Sequence, residues 1–283
     1  MSHYYYKDGS HAYQVEKKNG KIDKPNIADA RRLKLIPSVT TVLGILAAPE
    51  LERWKINQVL DTAYGFISTW VKSLPNRLIS TQELIQKIEP KACFSAKTMS
   101  NAFKKADKAR EWGDCLHAYM ESLCLNMQCG AEQKLGYSLI PQETKESIKR
   151  HFLTQIKEVV ASEQPLACEE SGIAGTPDLV CYLKDGRLCI YDFKNQWSKG
   201  KKEFGYYEKY WMQPAAYAKV VKADCLRILM VSRDEPGKVE MREISGQDMI
   251  DFQVMYKACV IMFNMRKKLR KHTYEEVEEL DND

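Results

Sequence analysis

The sequence predicts an α/β protein in which two β-hairpins stand among amphipathic helices. Apolar, β-favouring runs at residues 179–183 and 188–193 flank Lys184-Asp185-Gly186, a pattern typical of paired antiparallel strands. A second pair of runs, 227–232 and 238–244, flanks a Pro-Gly turn. Helical periodicity precedes, separates and follows the hairpins at residues 97–127, 142–162, 204–221 and 247–271.

Length and composition describe a globular chain with room for a large core. The chain has 283 residues, of which 44% are hydrophobic and 29% are charged, as in ordinary soluble proteins. No apolar stretch reaches the twenty or so residues that span a membrane, and residues 1–6 lack the apolar core of a signal peptide. We therefore expect a cytoplasmic protein with no membrane partner.

The positive charge of the chain is unevenly distributed. The net charge is +5, although the last nine residues contain six acidic side chains and no basic one. The remaining residues therefore carry +11, which suits a polyanionic partner, although scattered lysine and arginine often serve solubility alone. We expect residues 273–283 to form a disordered acidic tail.

The N-terminal part is predicted to combine a small hairpin with helices. Residues 4–6 and 12–15 have the pattern of two short strands. Ser38 is a candidate N-cap for a helix that runs through Leu46. Ala48-Pro49-Glu50 opens a further helix with a broad apolar stripe, and Ser80 opens a short one.

Two of the later helices contain unusual residues. In the helix at 97–127, His117 and Glu121 lie one turn apart on one face, where a lone histidine is more often a satisfied structural residue than a ligand. Gly113 weakens that helix by about 1 kcal/mol relative to alanine, which predicts a close approach by another backbone. In the helix at 204–221, we expect Pro214 in the first turn, with the helix beginning near Trp211.

The turn between residues 183 and 187 decides which way the acidic side chains of the first hairpin point. A two-residue type I′ turn at Asp185-Gly186 would send the carboxylates of Asp178 and Asp192 to opposite faces. A type I turn followed by Gly186 in the left-handed conformation would place Asp178 opposite Asp192. We expect the second register, in which Lys194 joins the same face because strand side chains repeat every second residue.

Two carboxylates and an ammonium on one strand face have two interpretations. They could form a solvated surface ion pair, which contributes little to stability. However, Asp192 lies in a run that is apolar on both faces, where a charged group requires a specific partner or function. Judged by these three residues alone, the two interpretations are about equally supported.

Several motifs together resemble the RecB-like exonuclease branch of the PD-(D/E)XK nuclease superfamily. Pro177-Asp178 and Asp192-Phe193-Lys194 resemble its catalytic core, and Glu111-Trp-Gly-Asp-Cys-Leu-His117-Ala-Tyr-Met-Glu121 resembles its helical motif with glycine and histidine. Tyr210-Trp-Met-Gln213-Pro-Ala-Ala-Tyr217 resembles its downstream Gln-x-x-x-Tyr motif. The segment after Ser38 is similar to the N-terminal part of phage exonucleases and mitochondrial genome-maintenance exonucleases. The resemblance spans about residues 3 to 270.

The resemblance implies a restriction-endonuclease-like core, a mixed β-sheet flanked by helices with an N-terminal helical elaboration. We accordingly expect residues 1–95 to form the N-terminal hairpin and helical region, packed on a nuclease core at 96–272. The resemblance also implies that the protein works in the cytosol of a bacterium or of a phage-infected host cell.

The resemblance further implies a metal site. Asp178, Asp192 and the Phe193 carbonyl would hold Mg²⁺ or Mn²⁺, His117 would complete the site, and Lys194 would activate the attacking water. One residue of the predicted strand at 166–170, Glu169 or Glu170, would add an acidic ligand, with a slight preference for Glu169. The residues implied in DNA binding are Gln213, Tyr217, Trp197, Lys199, Lys201 and Lys202.

The spacing of the cysteines bears on whether the protein holds an iron–sulfur cluster. Some RecB-like nucleases carry an iron–sulfur cluster on closely spaced cysteines after the catalytic core. Here the nine cysteines show no Cys-x-x-Cys pair, and Cys225 and Cys259 alone follow Gln213. We predict no cluster, and we expect Cys181 and Cys189 to be buried thiols.

The expected function is a metal-dependent DNA exonuclease that acts on single strands or DNA ends in recombination, repair or phage DNA metabolism. Two alternatives stay open. One is an endonuclease on the same core, and the other is a nuclease-like DNA-binding protein without catalysis. The intact Asp178, Asp192 and Lys194 argue against the second. The polarity of digestion and the preference for DNA over RNA are not decided by the sequence.

Overall fold

The structure, a computed structural model, describes residues 3–46, 97–129, 139–200 and 203–269. The chain divides into two compact units, one formed by residues 1–46 with 114–283 and the other by residues 47–113. The expected boundary near residue 95 stays a prediction. The helices expected after residues 48 and 80 and the acidic tail lie outside the described residues.

The described elements alternate between strands and helices. In chain order they are β1 (Tyr4–Tyr5), β2 (Val15–Glu16), β3 (Ile22–Asp23), α1 (Ile27–Leu33), β4 (Ile36–Pro37), α2 (Val39–Leu43), α3 (Lys97–Cys129), α4 (Gln142–Gln155), β5 (Ile156–Ser162), β6 (Leu166–Cys168), β7 (Ile173–Gly175), β8 (Leu179–Leu183), β9 (Leu188–Gln196), α5 (Glu208–Val221), β10 (Cys225–Ser232), β11 (Val239–Ser245) and α6 (Gly246–Lys267).

A five-stranded mixed sheet organises the larger unit, as the α/β prediction requires. Its strands lie in the order β11-β10-β9-β8-β5. Strands β9 and β10 are parallel and are connected by α5, because parallel neighbours need a crossover. The other neighbouring pairs are antiparallel. Both predicted hairpins are present, as β8–β9 and β10–β11.

The register of the β8–β9 hairpin is the one we expected. Leu179 pairs with Tyr191 and Cys181 pairs with Cys189, so continuing the register by one residue places Asp178 opposite Asp192. Gly186 has a φ of 93°, and its N–H donates to the Leu183 carbonyl at 2.9 Å. The left-handed glycine therefore directs both carboxylates to one face.

The predicted helix at 142–162 is wrong beyond Gln155, where the chain becomes β5. Ile156 and Val159 are both buried, at the i, i+3 spacing that also fits a helix. A regular strand would turn these two side chains to opposite faces. Here the pairing with β8 shifts register between Ile156 and Glu158 and again between Val159 and Ala161. These irregularities let a strand bury residues at a helical spacing.

The N-terminal segment is more elaborate than one hairpin. Strand β1 pairs with β4, and a single bridge joins Tyr5 to His11, while Val15 belongs to a separate hairpin with β3. The predicted cap at Ser38 is confirmed, since its side chain accepts the Thr41 N–H at 3.1 Å. The helix that it starts, α2, ends at Leu43, earlier than expected.

Helices cover both faces of the sheet. Helices α2, α5 and α6 pack on the face of Ile190, with Val42, Met212 and Tyr256 among the buried side chains. On the other face the Phe152 ring of α4 lies 6.0 Å from the Phe193 ring. Cys181 and Cys189 are fully buried, as predicted. Within the described residues, no helix combines the length and apolarity that crossing a membrane requires.

Pro214 lies inside α5 and not in its first turn, because the helix begins at Glu208 and not near Trp211. A proline at this position has no N–H to donate to the carbonyl four residues earlier, which normally disturbs a helix. Pro214 and its neighbours Ala215 and Ala216 are buried in the core. Packing against the sheet therefore outweighs the local preference.

Candidate metal centre

The β8–β9 hairpin places two acidic side chains in the protein interior. Asp178 precedes β8 and is 7% exposed, and Asp192 lies in the middle of β9 and is 2% exposed. The Phe193 N–H donates to Asp178 Oδ2 at 2.7 Å, which fixes the orientation of that carboxylate. Lys194 Nζ lies 2.6 Å from Asp192 Oδ2 in a close ion pair. The three predicted residues thus share one site.

His117 joins this site from α3. Its Nδ1 lies 3.6 Å from Asp178 Oδ1 and 3.3 Å from Glu163 Oε1. One ligand atom each from His117, Glu163 and Asp178 lies within 4.8 Å of the others, so these residues could hold a metal ion. The structure therefore brings together His117 and Asp178, two of the residues predicted to form the metal site.

Glu163 is the acidic residue that the sequence analysis missed. It directly follows β5 in the left-handed conformation, with a φ of 48°, and its N–H donates to the Asp178 carbonyl at 3.2 Å. Our helical assignment of 142–162 hid it. An acidic residue at the end of a strand that pairs with the Asp178 strand is the signal that could have identified it.

The structure does not bring Glu169 into the group of potential ligands. Its carboxylate is 57% exposed and forms an ion pair with Lys7 at 2.6 Å. The strand that we expected to carry it, β6, ends at Cys168, so both Glu169 and Glu170 lie in the turn before β7. The expectation that Glu169 lies in the site is therefore not met, and Glu163 is the acidic residue that lies beside His117.

Burial raises the pKa values of both hairpin carboxyls. Burial raises the pKa of Asp178, although His117 and Lys194 oppose it. Burial likewise raises the pKa of Asp192 to about 6, with Lys194 opposing and Asp178 reinforcing the change. Burial alone would lower the pKa of Lys194, but the two carboxylates more than compensate and raise it. Burial therefore opposes ionisation of the two carboxyls, while the charges of Lys194 and His117 favour it.

The imidazole of His117 is held in its protonated form. Burial favours the neutral ring, but the Asp178 and Glu163 carboxylates outweigh it and raise the pKa of His117 to about 9. This proton must leave before the ring can bind a metal, so metal affinity is expected to rise with pH.

The raised pKa of His117 predicts that the metal-free protein loses stability as pH rises from 6.5 to 9. The charged ring stabilises the folded state fully below its unfolded pKa of 6.5, and that contribution disappears through the folded pKa of about 9. In EDTA, the melting temperature of the native protein should fall over this range more than that of His117→Gln. The ring is 35% exposed, so solvent screening reduces the effect. Parallel melting curves for the two proteins would contradict the assignment.

Gln213 and Tyr217 of the predicted Gln-x-x-x-Tyr motif lie in different environments. Gln213 is half-buried, and its Oε1 accepts from Lys194 Nζ at 3.3 Å, so it orients the lysine. Tyr217 is 3% exposed in the core under β7, where its ring lies over Gly175. The structure therefore buries Tyr217 in the core and does not present its ring at the surface for DNA.

Gly175→Ala tests the packing of Tyr217. A Cβ at residue 175 would lie 2.3 Å from the Tyr217 hydroxyl oxygen, and Gly175 also has a φ of 155°. We expect the substitution to cost about 1–3 kcal/mol of unfolding free energy through overpacking and backbone strain. Gly20→Ala, at another glycine with positive φ but with nothing within 4 Å of the added Cβ, is the control for backbone strain alone. Equal costs for the two variants in urea denaturation would contradict close packing at Gly175.

The loop after β9 carries the remaining predicted DNA contacts. Trp197 is 56% exposed, and Lys199 is also exposed. The Asp234 carboxylate accepts the N–H groups of Ser198 and Lys199, each at 2.8 Å, which fixes the start of the loop. Lys201 and Lys202 lie outside the described residues.

The residues present fit a hard divalent cation. Mg²⁺ and Mn²⁺ prefer oxygen ligands, and the carboxylates of Asp178 and Glu163 both lie beside His117. Asp192, opposite Asp178 in the hairpin, is not in this group of three possible ligands. Burial raises the pKa values of Asp178 and Asp192. A bound cation would supply positive charge that favours their ionised forms.

Comparisons with known proteins do not assign the chain to a family. No family profile and no curated protein matches it. A solved structure described as "Crystal structure of SSO0001" is 14% identical, with a TM-score of 0.31, over 73% of this chain and 84% of that chain. A similarity at this level does not establish a common fold or activity.

Proposed function

We propose that this protein is a metal-dependent deoxyribonuclease that hydrolyses phosphodiester bonds as an exonuclease, on single strands or DNA ends. The observation that carries the proposal is the paired arrangement of buried Asp178 and Asp192, with Lys194 Nζ 2.6 Å from Asp192. With it we propose that the mixed sheet is a PD-(D/E)XK core. The sequence motifs around His117, Asp178 and Gln213 support the same proposal.

Asp178, Asp192 and Glu163 would hold the cation, together with the Phe193 carbonyl and, after losing its proton, His117. A bound Mg²⁺ or Mn²⁺ supplies charge that polarises the scissile phosphate and acidifies a water molecule. Burial of the carboxylates in a low-dielectric environment strengthens their attraction for a cation. The same burial imposes a desolvation penalty on ionised carboxylates that have no cation beside them, which favours metal binding.

Lys194 is suited to act on the attacking water and on the phosphate. Its pKa is raised, so at neutral pH Nζ carries a proton and a positive charge. Asp192 and the Gln213 Oε1 atom, 2.6 Å and 3.3 Å away, hold it in place. A fixed ammonium can orient the water and stabilise negative charge that develops on the phosphate oxygens.

An endonuclease is the second candidate, because the same site chemistry serves either mode of cleavage. An end-labelled linear duplex and a supercoiled plasmid, each incubated with Mg²⁺, distinguish the two. The exonuclease predicts progressive shortening from an end, with the closed plasmid left intact. Nicking of the closed plasmid at a comparable rate would favour the endonuclease. DNA binding without any cleavage in Mg²⁺ or Mn²⁺ would favour a nuclease-like binding protein.

A further inference from the structure

Two tyrosines at the start of α5 form an aromatic surface that the proposed chemistry does not use. Tyr207 is the N-cap residue and is 45% exposed, and Tyr210 follows one turn later. Their ring centroids are 5.3 Å apart and the rings meet edge to face at 79°. We call these two residues the tyrosine pair.

The tyrosine pair lies directly beside the catalytic group proposed above. Lys194 Nζ is 5.7 Å from the centroid of the Tyr210 ring. Gln213, which accepts a hydrogen bond from the same Nζ, lies on α5 three residues after Tyr210. A molecule that contacts the exposed Tyr207 ring is therefore close to the atoms proposed to act on a phosphate.

The backbone before Tyr207 is fixed to the sheet. Gln196, the last residue of β9, donates from Nε2 to the Gly205 carbonyl at 2.5 Å and accepts the Gly205 N–H at Oε1 at 3.0 Å. The Tyr207 ring packs over Gly205, since a Cβ there would lie 3.3 Å from two of its atoms. Little conformational entropy is lost when a ligand binds an aromatic ring that is already held.

A cationic group lies at the same edge of the sheet. Arg233 directly follows β10, and its backbone N–H donates to the Gln196 carbonyl at 3.0 Å. Arg233 is half-buried, and its Nε atom, which is itself buried, has no hydrogen-bond acceptor within the described part of the chain. A guanidinium is suited to bind a phosphate oxygen, here through the exposed part of the side chain.

We propose that Tyr207 stacks on a nucleobase of single-stranded DNA that lies next to the scissile phosphate, with Arg233 available to a neighbouring phosphate. Proteins that hold single strands combine aromatic side chains with positive charge in this way. In a duplex the bases are stacked on one another and do not present a face to Tyr207. The inference rests on the proposed nuclease function and assigns a base-stacking contact for the single strands or ends on which it would act.

Binding of a fluorescent oligo(dT) to the full-length protein in EDTA, where the strand is not cleaved, tests the role of Tyr207. We expect Tyr207→Ala to weaken binding by about 5- to 150-fold, the usual effect of removing a stacked aromatic. Tyr207→Trp should bind like the native protein. On an abasic strand of equal length, Tyr207→Ala and the native protein should bind equally. Tyr13→Ala removes a 72% exposed tyrosine elsewhere and should change nothing.

The outcomes separate this inference from the proposed function. The stacking role is excluded if Tyr207→Ala binds oligo(dT) as tightly as the native protein, or if it weakens binding of oligo(dT) and of the abasic strand equally. Nuclease activity can still be present in either case. If the native protein neither binds nor cleaves any DNA, the proposed function fails and the inference fails with it. An unchanged melting temperature of Tyr207→Ala would show that its binding defect is not a folding defect.

Discussion

Replacing Lys194 with methionine is expected to lower the rate of DNA hydrolysis by about 10²- to 10⁴-fold, the usual range for a group that positions or transfers a proton in the transition state. Methionine has a similar length and no charge, so packing against Tyr210 and Gln213 changes little. The effect should appear in kcat, because the ammonium acts on the developing charge and not on the bulk of the strand. Single-turnover cleavage of a labelled oligonucleotide measures it.

The control for Lys194→Met is Lys219→Met on the last turn of α5, where the lysine is exposed. It removes the same charge from an exposed position on α5, away from β9, and should retain native activity. A Lys194→Met rate within about tenfold of the native rate would show that this lysine is not part of the chemistry. Loss of activity in both variants would point instead to general electrostatic attraction of DNA.

Asp192→Asn is expected to abolish cleavage in Mg²⁺ and yet to stabilise the metal-free protein. Because the folded-state pKa of Asp192 is raised to about 6 from 3.8, ionising it weakens the folded state as pH rises through that window. A neutral amide avoids this loss, which corresponds to about 2–3 kcal/mol above pH 6. The gain should disappear below pH 4, where the native carboxyl is protonated in both states.

Thermal denaturation at pH 8 in EDTA and in Mg²⁺ tests the predicted stabilisation of the metal-free protein by Asp192→Asn. In EDTA, Asp192→Asn should melt at a higher temperature than the native protein. In Mg²⁺ the native protein should gain stability by binding the cation, and the variant should gain less because it has lost a ligand. Glu169→Gln changes an exposed carboxylate outside the site, and its melting temperature should match that of the native protein in EDTA and in Mg²⁺. A lower melting temperature for Asp192→Asn in EDTA would show that its ion pair with Lys194 outweighs the burial cost.

Local sequence determines the part of the site that lies on the hairpin. Lys184-Asp185-Gly186 allows the left-handed glycine at 186, and that one turn sets the register of every residue from Asp178 to Asp192. Strand periodicity then adds Lys194 to the same face. These residues could therefore be placed together from the sequence without knowledge of the tertiary fold.

The acidic residue contributed by the edge strand could not be predicted in the same way. Glu163 contacts His117 from the end of β5, a strand whose irregular pairing lets Ile156 and Val159 both face the core. In the sequence this spacing is indistinguishable from a helix. Likewise, the burial of Tyr217 depends on its packing over Gly175 on a distant strand. Such contacts depend on tertiary packing, which local propensity does not determine.

Digestion of end-labelled single-stranded DNA by the native protein, compared in Mg²⁺, Mn²⁺ and EDTA, tests the central claim most directly. We predict progressive shortening in Mg²⁺ or Mn²⁺, no cleavage in EDTA, and restoration of cleavage when excess metal is added back. Placing the label at either end would report the polarity. Digestion that continues undiminished in EDTA, or no digestion of DNA with either metal, would contradict a metal-dependent nuclease site at Asp178 and Asp192.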